Sequence, residues 1–340
     1  MKKSLIALAV AGAFAAPAFA ATSNIDISGK IAADVTFVDG LDTTQDAMQV
    51  NNNNSVITVA GNEDLGGGLK AFFSVSYGLP LANAGTLSGQ NQIAGLEGGF
   101  GKVFVGAFDN PLKVMGRGTD LFADQSTGDA RYLTAVGLVE ARANDVIAYI
   151  SPSVSGLQGV LAYSQNPTLT VSNDSTNANP SMYILKVSYA NGPLSVAAGY
   201  HKVDYTNEET AWRVTGSYKM GDLKMVGSYQ DVSDAGGISG KDISTWGVGG
   251  AYAMGPMTVK AQYYSLSNDQ TANADADMWA IGLDYALSKR TTAQLAYSKV
   301  TNESAAAYGG TTAVVAGSDA LTVGNGKDPS RLSIGMKHTF

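Results

Sequence analysis

A two-residue alternation of apolar and polar side chains recurs along most of the chain and strongly limits what it can fold into. In the segment at residues 24–38 the two parities separate cleanly. The apolar parity holds Ile25, Ile27, Ile31, Ala33, Val35 and Phe37, and the polar parity holds Asp26, Ser28, Lys30, Asp34 and Thr36. Successive side chains of a strand point to opposite faces, whereas helical spacing would mix these sets. The pattern therefore predicts strands with one apolar and one polar face.

About sixteen such segments can be counted. They lie near residues 24–38, 54–62, 69–79, 91–98, 101–108, 142–151, 157–166, 181–190, 193–204, 210–220, 222–232, 243–254, 256–267, 276–287, 290–300 and 330–340. The connections alternate between short turns, such as residues 190–193 and 253–256, and long polar loops, such as 168–180 and 302–329. Short turns at one end and long loops at the other are typical of outer-membrane barrels.

The apolar face is better suited to lipid than to a soluble core. Many of its positions are Ala or Gly, which would leave a close-packed interior underfilled. Tyrosines recur near the strand ends, as at Tyr189, Tyr218 and Tyr252, where an aromatic girdle would meet lipid headgroups. A soluble β-sandwich or propeller is the alternative. The pattern favours an all-β fold: a transmembrane antiparallel β-barrel of about 16 strands, occupying residues 21–340.

The first twenty residues have the features of a secretory signal peptide. Lys2 and Lys3 precede an apolar stretch, and Ala18-Phe19-Ala20 provides an Ala-x-Ala cleavage site. Cleavage after Ala20 would change the net charge from −7 to about −9, which argues against nucleic acid as a partner. The chain contains no cysteine, which excludes disulfides, thiolate metal sites and thiol catalysis. We expect no cofactor and no bound metal.

The segment at residues 330–340 alternates up to the aromatic residue Phe340. A strand inside lipid must have all its backbone groups paired, so this segment is expected to close the barrel against the first strand. We therefore predict that Phe340 contributes to barrel closure and assembly.

Several motifs, in this order along the chain, resemble the general trimeric porins of Gram-negative bacteria. They are Ser28-Gly29-Lys30, the run Gly61-Asn62-Glu63-Asp64-Leu65-Gly66, Gly95-Leu96-Glu97-Gly98, Asn144-Asp145-Val146 and the ending Gly335-Met336-Lys337-His338-Thr339-Phe340. The resemblance implies a sixteen-stranded barrel that forms a homotrimer in the outer membrane. Its implied partners are outer-membrane lipid, lipopolysaccharide and, through the C-terminal strand, the barrel-assembly machinery.

The resemblance also implies that the third external loop, residues 109–141, folds into the lumen as a constriction. Acidic residues of this loop would face basic residues on the barrel wall. The implied pore-constriction residues are Lys30, Arg117, Asp120, Asp124 and Arg142.

Several wall positions that are basic in the family are not basic in this chain. They hold Val56, Ala60, Gln90 and Ala148. If Asp120 and Asp124 face the lumen, they would be opposed only by Lys30, Arg142 and Arg117. Because a narrow aqueous gap focuses the field of its charges, the sequence predicts a cation-preferring channel.

Three functions remain open. The first is passive diffusion of ions and small hydrophilic solutes, and the second is a substrate-selective channel with a saturable solute-binding site. The third is an enzyme or adhesin built on a barrel. An enzyme would need a nucleophile and a base, and the only histidines are His201 and His338. His201 has inward parity near Asp204 and is expected to be a wetted lumen residue, so we predict that the protein is not an enzyme.

Overall fold

The computed structural model describes residues 23–41, 47–82, 85–165, 180–310 and 321–340. The predicted signal peptide at residues 1–20 and most of the predicted loop at 168–180 lie outside the described residues. Within the described part of the chain, no helix is long and apolar enough to cross a membrane.

Seventeen strands occupy most of the described residues, and one long connection carries two helices. The strands are β1 Ser23–Asp39, β2 Ala47–Asn52, β3 Val56–Gly66, β4 Leu69–Gly78, β5 Ser88–Gly98, β6 Gly101–Asp109, β7 Arg142–Ile150, β8 Leu157–Gln165, β9 Ser181–Asn191, β10 Leu194–Val203, β11 Glu209–Met220, β12 Leu223–Ser233, β13 Ile243–Met254, β14 Met257–Asn268, β15 Ala276–Ala286, β16 Thr291–Asn302 and β17 Ser330–Thr339. The helices are α1 Pro111–Thr119 and α2 Arg131–Thr134, with a 3₁₀ turn at Ala235–Gly237.

The sheet closes on itself. Each strand from β3 onwards pairs antiparallel with the next, and β17 pairs with β1 in the register Lys30 to Thr339 and Asp39 to Ser330. Strand β2 pairs with residues 33–38 of β1, and β3 pairs with residues 23–30 of β1. Together β2 and β3 therefore count as one strand of the barrel. The sixteen-stranded antiparallel barrel predicted from the alternation is therefore confirmed.

Strand β2 was absent from the predicted set of strands. Its sequence, AMQVNN, is short, and it is separated from β3 by a break at residues 53–55 where Asn54 has a positive φ of 56°. Asparagine tolerates this left-handed conformation better than most residues. Met48 and Val50 are exposed on the outer face, and Gln49 and Asn51 are buried on the lumen side. This alternation covers only four residues, which is too short to indicate a strand.

The two faces of the wall differ as the alternation predicts. On β13, Trp246 and Val248 on the outer face are 45% and 51% exposed, whereas Thr245 on the inner face is 2% exposed. The short connections at the opposite end from the long loops use glycine where the backbone needs it. Gly192 and Gly255 have φ values of 54° and 60° and precede Pro193 and Pro256, a sequence suited to tight hairpin turns.

The inner face is not polar throughout. The long connection between β6 and β7 packs inside the barrel and forms an apolar core with the wall. This core includes Leu112, Leu133 and Val139 from the connection, and Met182, Leu266 and Met278 from β9, β14 and β15. The connection is therefore held inside the barrel by the same burial of apolar surface that stabilises a soluble domain.

Candidate functional site

The connection between β6 and β7, residues 110–141, is called the constriction loop here. Residues 110–116 and 132–141 form its base, and residues 117–131 form its tip. The base begins at helix α1, where the Asn110 side chain accepts a hydrogen bond from the Leu112 amide at 2.9 Å and Pro111 occupies the first helical turn. This is a favourable N-terminal cap, because it satisfies an amide that the helix itself cannot pair.

Helix α1 lies directly against the wall at a glycine. A Cβ atom on Gly199 of β10 would lie 2.9 Å from the Met115 sulfur and 3.0 Å from Leu112 Cδ1. Leu112 is fully buried. The absence of a side chain at Gly199 therefore gives α1 the space to approach the wall.

Arg213 of β11 joins the base to the wall and is almost fully buried. Its guanidinium donates to the Glu140 carboxylate at 2.7 Å and to the Leu112 carbonyl at 2.7 Å. The Nε of Arg213 also donates to Gln230 Oε1 at 2.9 Å. A buried guanidinium is tolerable only when its charge is paired and its donors are satisfied, and these contacts meet that requirement.

His201 forms a second buried connection between the base and the wall. Its Nδ1 is 2.9 Å from the side-chain nitrogen Nδ2 of Asn110, and its Nε2 is 3.0 Å from Glu209 Oε1. Glu209 also accepts hydrogen bonds from the amides of Leu138 at 2.8 Å and Gly236 at 2.5 Å. His201 is 0% exposed, so the expectation of a wetted lumen residue was wrong. The loop covers it, which parity alone could not indicate.

Asp124 is the centre of the tip. Lys30 Nζ of β1 lies 2.6 Å from its carboxylate, Arg117 also pairs with it, and Arg131 lies 3.4 Å away. Burial by itself raises the pKa of Asp124, but the adjacent Arg117 and Lys30 outweigh burial and hold that pKa well below its usual range. This carboxylate is therefore ionised at neutral pH and ties the tip to β1.

Asp120 is held differently, by neutral donors. Its carboxylate accepts hydrogen bonds from the amides of Phe122 at 2.8 Å and Ala130 at 2.9 Å, and from the side chain of Gln262 on β14 at 2.8 Å. Burial, together with the charge of Asp129, raises the pKa of Asp120 to about 7 although the hydrogen bonds oppose this. Asp120 consequently gains or loses its charge near neutral pH.

A third contact of the tip with the wall is a polar cluster on β1 and β2. Asp34 accepts hydrogen bonds from Ser126 at 2.5 Å, Asn53 at 2.5 Å and Asn51 at 2.9 Å. Sequence reasoning did not identify this cluster. The run of asparagines at residues 51–54 was the available signal, because consecutive amides beside an inward-facing carboxylate can satisfy it when it is buried.

A gap remains between the tip and the wall formed by β1 and β15–β17. This cavity of about 210 Å³ is lined by Lys30, Asp120, Asp124, Asp284 and Lys337, among others. Three of the predicted constriction residues, Lys30, Asp120 and Asp124, thus border one opening. A fourth, Arg117, contacts Asp124.

Arg142 lies elsewhere. It pairs with Asp109 at 3.0 Å and donates to the Asn91 side chain at 3.1 Å, where β6 and β7 meet the base of the loop. It does not oppose Asp120 or Asp124, contrary to the expectation. The register of β6 and β7 places Asp109 directly opposite Arg142, and this pairing is the reason.

The four wall positions that lack a basic residue face inward. Val56 is opposite Lys30, Ala60 is opposite Asp26, and Gln90 donates to the Asn54 side chain at 2.8 Å. Ala148 is buried in the apolar core beneath the loop.

The interior contains basic residues that sequence reasoning did not assign. Arg131 pairs with Asp129 at 2.6 Å, and Lys260 pairs with Asp284 at 3.0 Å and lies 4.5 Å from the Phe122 ring centre. The premise that only Lys30, Arg142 and Arg117 oppose the carboxylates was therefore wrong. The inward parity of Lys260 was visible in the sequence, but its proximity to the loop was not.

Phe340 closes the barrel against Gly29. Each of the two residues donates its amide to the carbonyl of the other at 3.1 Å. A Cβ atom on Gly29 would lie 2.6 Å from the Phe340 ring and 2.4 Å from the Val56 carbonyl oxygen. Glycine at this position therefore allows the ring to lie across the junction of β1 and β17. Among the described residues, no group of three or more His, Asp or Glu side chains is arranged to hold a metal ion.

Comparison with known proteins gives a consistent result. The family model described as Gram-negative porin matches residues 7–305. The chain is 30% identical to the major outer membrane protein P.IB of Neisseria gonorrhoeae over 56% of this chain and 54% of that protein, so the match spans about half of that relative. It is 28% identical to the outer membrane porin protein 32 of Delftia acidovorans over the full length of both chains.

Two solved structures show the same fold. The anion-selective porin from Comamonas acidovorans gives a TM-score of 0.81 at 24% identity, covering 94% of this chain and all of that one. The trimer form of OmpT from Vibrio cholerae gives 0.67 at 17% identity, covering 94% and 100%. With the family model covering most of the sequence, the chain belongs to the family of Gram-negative porins, and the outer membrane is its location.

Proposed function

We propose that the protein is an outer-membrane channel through which ions and small hydrophilic solutes diffuse passively. The observation that carries this proposal is the charged gap beside the loop tip, bordered by Lys30, Asp124 and Lys337. The loop narrows the lumen without packing its tip against the entire wall. A narrow opening lined by charged groups admits hydrated solutes and sorts them by size and charge.

The test is the conductance of purified protein in a planar bilayer. We expect discrete current steps whose size increases with the potassium chloride concentration. No added cofactor should be needed for conduction. Liposomes containing the protein should swell in solutions of small sugars and not of large ones. Preparations that insert into the bilayer without conducting would contradict the proposal.

For ion selectivity, we propose a weakly selective opening instead of the cation preference predicted from the sequence. The charged groups at and beside the gap nearly balance. The basic ones are Lys30, Arg117, Arg131, Lys260 and Lys337, and the acidic ones are Asp120, Asp124, Asp129 and Asp284. The zero-current potential in a potassium chloride gradient should lie near zero. A large potential of cation-selective sign would restore the original expectation.

We further propose that three copies associate side by side, as in the trimer form of the Vibrio cholerae protein. Aromatic ring pairs that would lie at the headgroup level are found on β8–β16. They are Tyr163–Tyr183, Trp212–Tyr229, Trp246–Tyr263 and Trp279–Tyr297. No outward ring pair is present on the described residues of β1–β6. That arc, which includes Ala71, Phe73 and Val75, is therefore available for contact between subunits, and cross-linking in mild detergent tests this.

Assembly is the proposed role of Phe340, because its ring and backbone lie at the β1–β17 junction. Deletion of Phe340 should lower the yield in the outer membrane and leave the conductance of assembled channels unchanged. The same strand is the proposed contact with the barrel-assembly machinery, and lipid with lipopolysaccharide is the proposed surrounding of the outer face. A normal yield after the deletion would contradict this role.

A further inference from the structure

Five apolar side chains line one side of the lumen between the constriction loop and the short turns. They are Phe72 on β4, Ile93 on β5, Phe104 and Phe108 on β6, and Ile150 on β7. Strand pairing aligns Phe72 with Asn62, and Phe104 with Ala148, so these residues belong to the inner face. Phe104 belongs to the apolar core beneath the constriction loop, and the other four pack against that core, so together they form its edge towards the lumen. The part of this edge that remains in contact with water is unfavourable.

The rings are arranged as a connected surface. The ring centres of Phe72 and Phe104 are 6.4 Å apart at an interplanar angle of 68°, and those of Phe104 and Phe108 are 5.0 Å apart at 71°. Both are edge-to-face geometries, which aromatic pairs favour. Phe104 is almost completely buried, whereas Phe72 and Phe108 are half-buried and keep part of their surface towards the lumen.

Gly95 provides the space for this surface. It lies between Phe72 and Phe104 in the register of β4, β5 and β6. A Cβ atom on Gly95 would lie 2.6 Å from Phe104 Cβ and 2.1 Å from the Val103 carbonyl oxygen. Glycine in a strand interior is otherwise unfavourable, and it marks a close approach of neighbouring groups.

The patch borders a cavity of about 600 Å³, called the vestibule cavity here. This volume is within the range of small-molecule sites. Its polar side includes Asn24, Asp26, Asn62, Glu97, Lys102 and Gln158. Lys102 lies 5.3 Å from the centre of the Phe72 ring and pairs with Glu97 at 2.7 Å. On other strands of the wall the inner parity is polar at positions near the short turns or the loop tip, as at Lys224 on β12 and at Thr258 and Asp284, which pair across β14 and β15.

We propose that the vestibule cavity binds a small aromatic solute that is uncharged or zwitterionic. The solute's ring would cover the exposed parts of Phe72 and Phe108, which removes apolar surface from water and adds an edge-to-face ring contact. The charges of Lys102 and Glu97 cancel in their ion pair, and Asp26 adds one negative charge to the lining. A net anion is therefore disfavoured, whereas the ammonium group of a zwitterion can face Asp26. The inference rests on the proposed channel function, because the solute reaches the cavity through the open lumen.

The test uses L-phenylalanine as the probe, with L-alanine as the matched amino acid that lacks a ring. Saturation-transfer NMR on the protein in deuterated detergent should show a saturable signal from the phenylalanine ring protons and none from alanine. Phe72→Ser should weaken the apparent Kd at least fivefold. Phe100→Ser, which removes an exposed ring from the turn between β5 and β6, should leave the Kd unchanged.

Three results would overturn the inference. They are an absent signal in the unmodified protein, an equal signal from alanine, and a phenylalanine signal that Phe72→Ser does not reduce, since the last indicates partition into the detergent. The potassium chloride conductance of each variant is measured in parallel. Normal conductance without ring binding refutes this inference alone, whereas an absence of conductance refutes the channel itself.

Discussion

The base and the tip of the constriction loop are fixed to the barrel by different forces. The base is held by apolar burial and by two enclosed polar groups, Arg213 and His201, which are at most 2% exposed. The tip is held by hydrogen bonds at Asp120 and Asp34, by a small apolar contact of Phe122 with β15 and β16, and by the charge pairs of Asp124, which border the lumen. Apolar burial is almost insensitive to salt, whereas charge pairs near water are screened. The comparison implies that the base determines whether the loop stays in the barrel, and the tip determines how the opening treats ions.

The largest effect is expected from breaking the enclosed ion pair of the base. Arg213→Met removes the guanidinium and leaves the Glu140 carboxylate buried without its partner. Loss of one partner of a buried pair costs roughly 3–5 kcal/mol. The free energy of unfolding in urea should fall by about this amount, and trypsin should cleave the loop at Arg131 more rapidly.

The double variant Arg213→Met with Glu140→Gln is the control. Because it removes both charges, it should recover most of the lost free energy of unfolding. A single variant as stable as the unmodified protein would mean that the base does not depend on this pair.

The apolar component of the base can be tested at Leu133, which is 1% exposed. Leu133→Ala leaves a cavity in the core beneath the loop and should lower the free energy of unfolding by about 2–5 kcal/mol. The loss should be the same in 0.1 M and 1 M potassium chloride. A loss that changes strongly with the salt concentration would contradict the inference that apolar burial holds the base.

A variant of the tip should, in contrast, lose an amount of unfolding free energy that depends on the salt concentration. Asp124→Asn leaves Lys30, Arg117 and Arg131 without their shared carboxylate. We expect a loss of about 1–3 kcal/mol at low salt, typical of hydrogen bonds to charged groups, and a smaller loss at 1 M salt. The zero-current potential should also shift towards anion preference. An unchanged potential would show that these three cations do not border the conducting path.

The most diagnostic effect concerns pH. Asp120 has a pKa of about 7 in the folded protein against an ordinary value of 3.8. As the pH rises from about 4 to 7, the unfolded chain releases this proton before the folded protein does, so the contribution of Asp120 to stability falls over that interval. The same ionisation adds a negative charge at the opening, so the cation-to-anion permeability ratio should rise between pH 6 and 8.

Asp120→Asn should abolish this pH dependence, and Asp124→Asn should preserve it, because the pKa of Asp124 lies well below this interval. A pH response that survives in Asp120→Asn would assign the titration to another group.

The sequence predicted the barrel better than it predicted the contacts inside it. Alternation is a local property, so strands such as β13, at residues 243–254, were predicted with the observed bounds. The strand β2 was missed because it is only six residues long. The resemblance to the family placed Lys30 and Asp124 at the constriction, and their side chains lie 2.6 Å apart. No local pattern indicated this contact.

Long-range pairs carried no local signal. Arg213 and Glu140 are separated by 73 positions. The sequence indicates only that Arg213 faces inward and that Glu140 is an acidic loop residue, and it does not indicate that the two side chains pair. Arg142 was misplaced for the same reason. The inward parity of Phe72 and Phe104 was present in the sequence, since they follow Lys70 and Lys102 by two residues, although its meaning depended on seeing the two rings together.

The junction of β1 and β17 also sets the timing of barrel formation. Lys30 pairs with Thr339 across roughly 300 residues of chain, and such distant contacts form slowly because a long loop must first be closed. Until then, the edge of β1 carries unpaired amides and carbonyls that could pair with another chain. The free edge of β1 must therefore be kept from pairing with other chains until β17 has formed. Barrel closure, and not the formation of single strands, is consequently the step at which misassembly is most easily introduced.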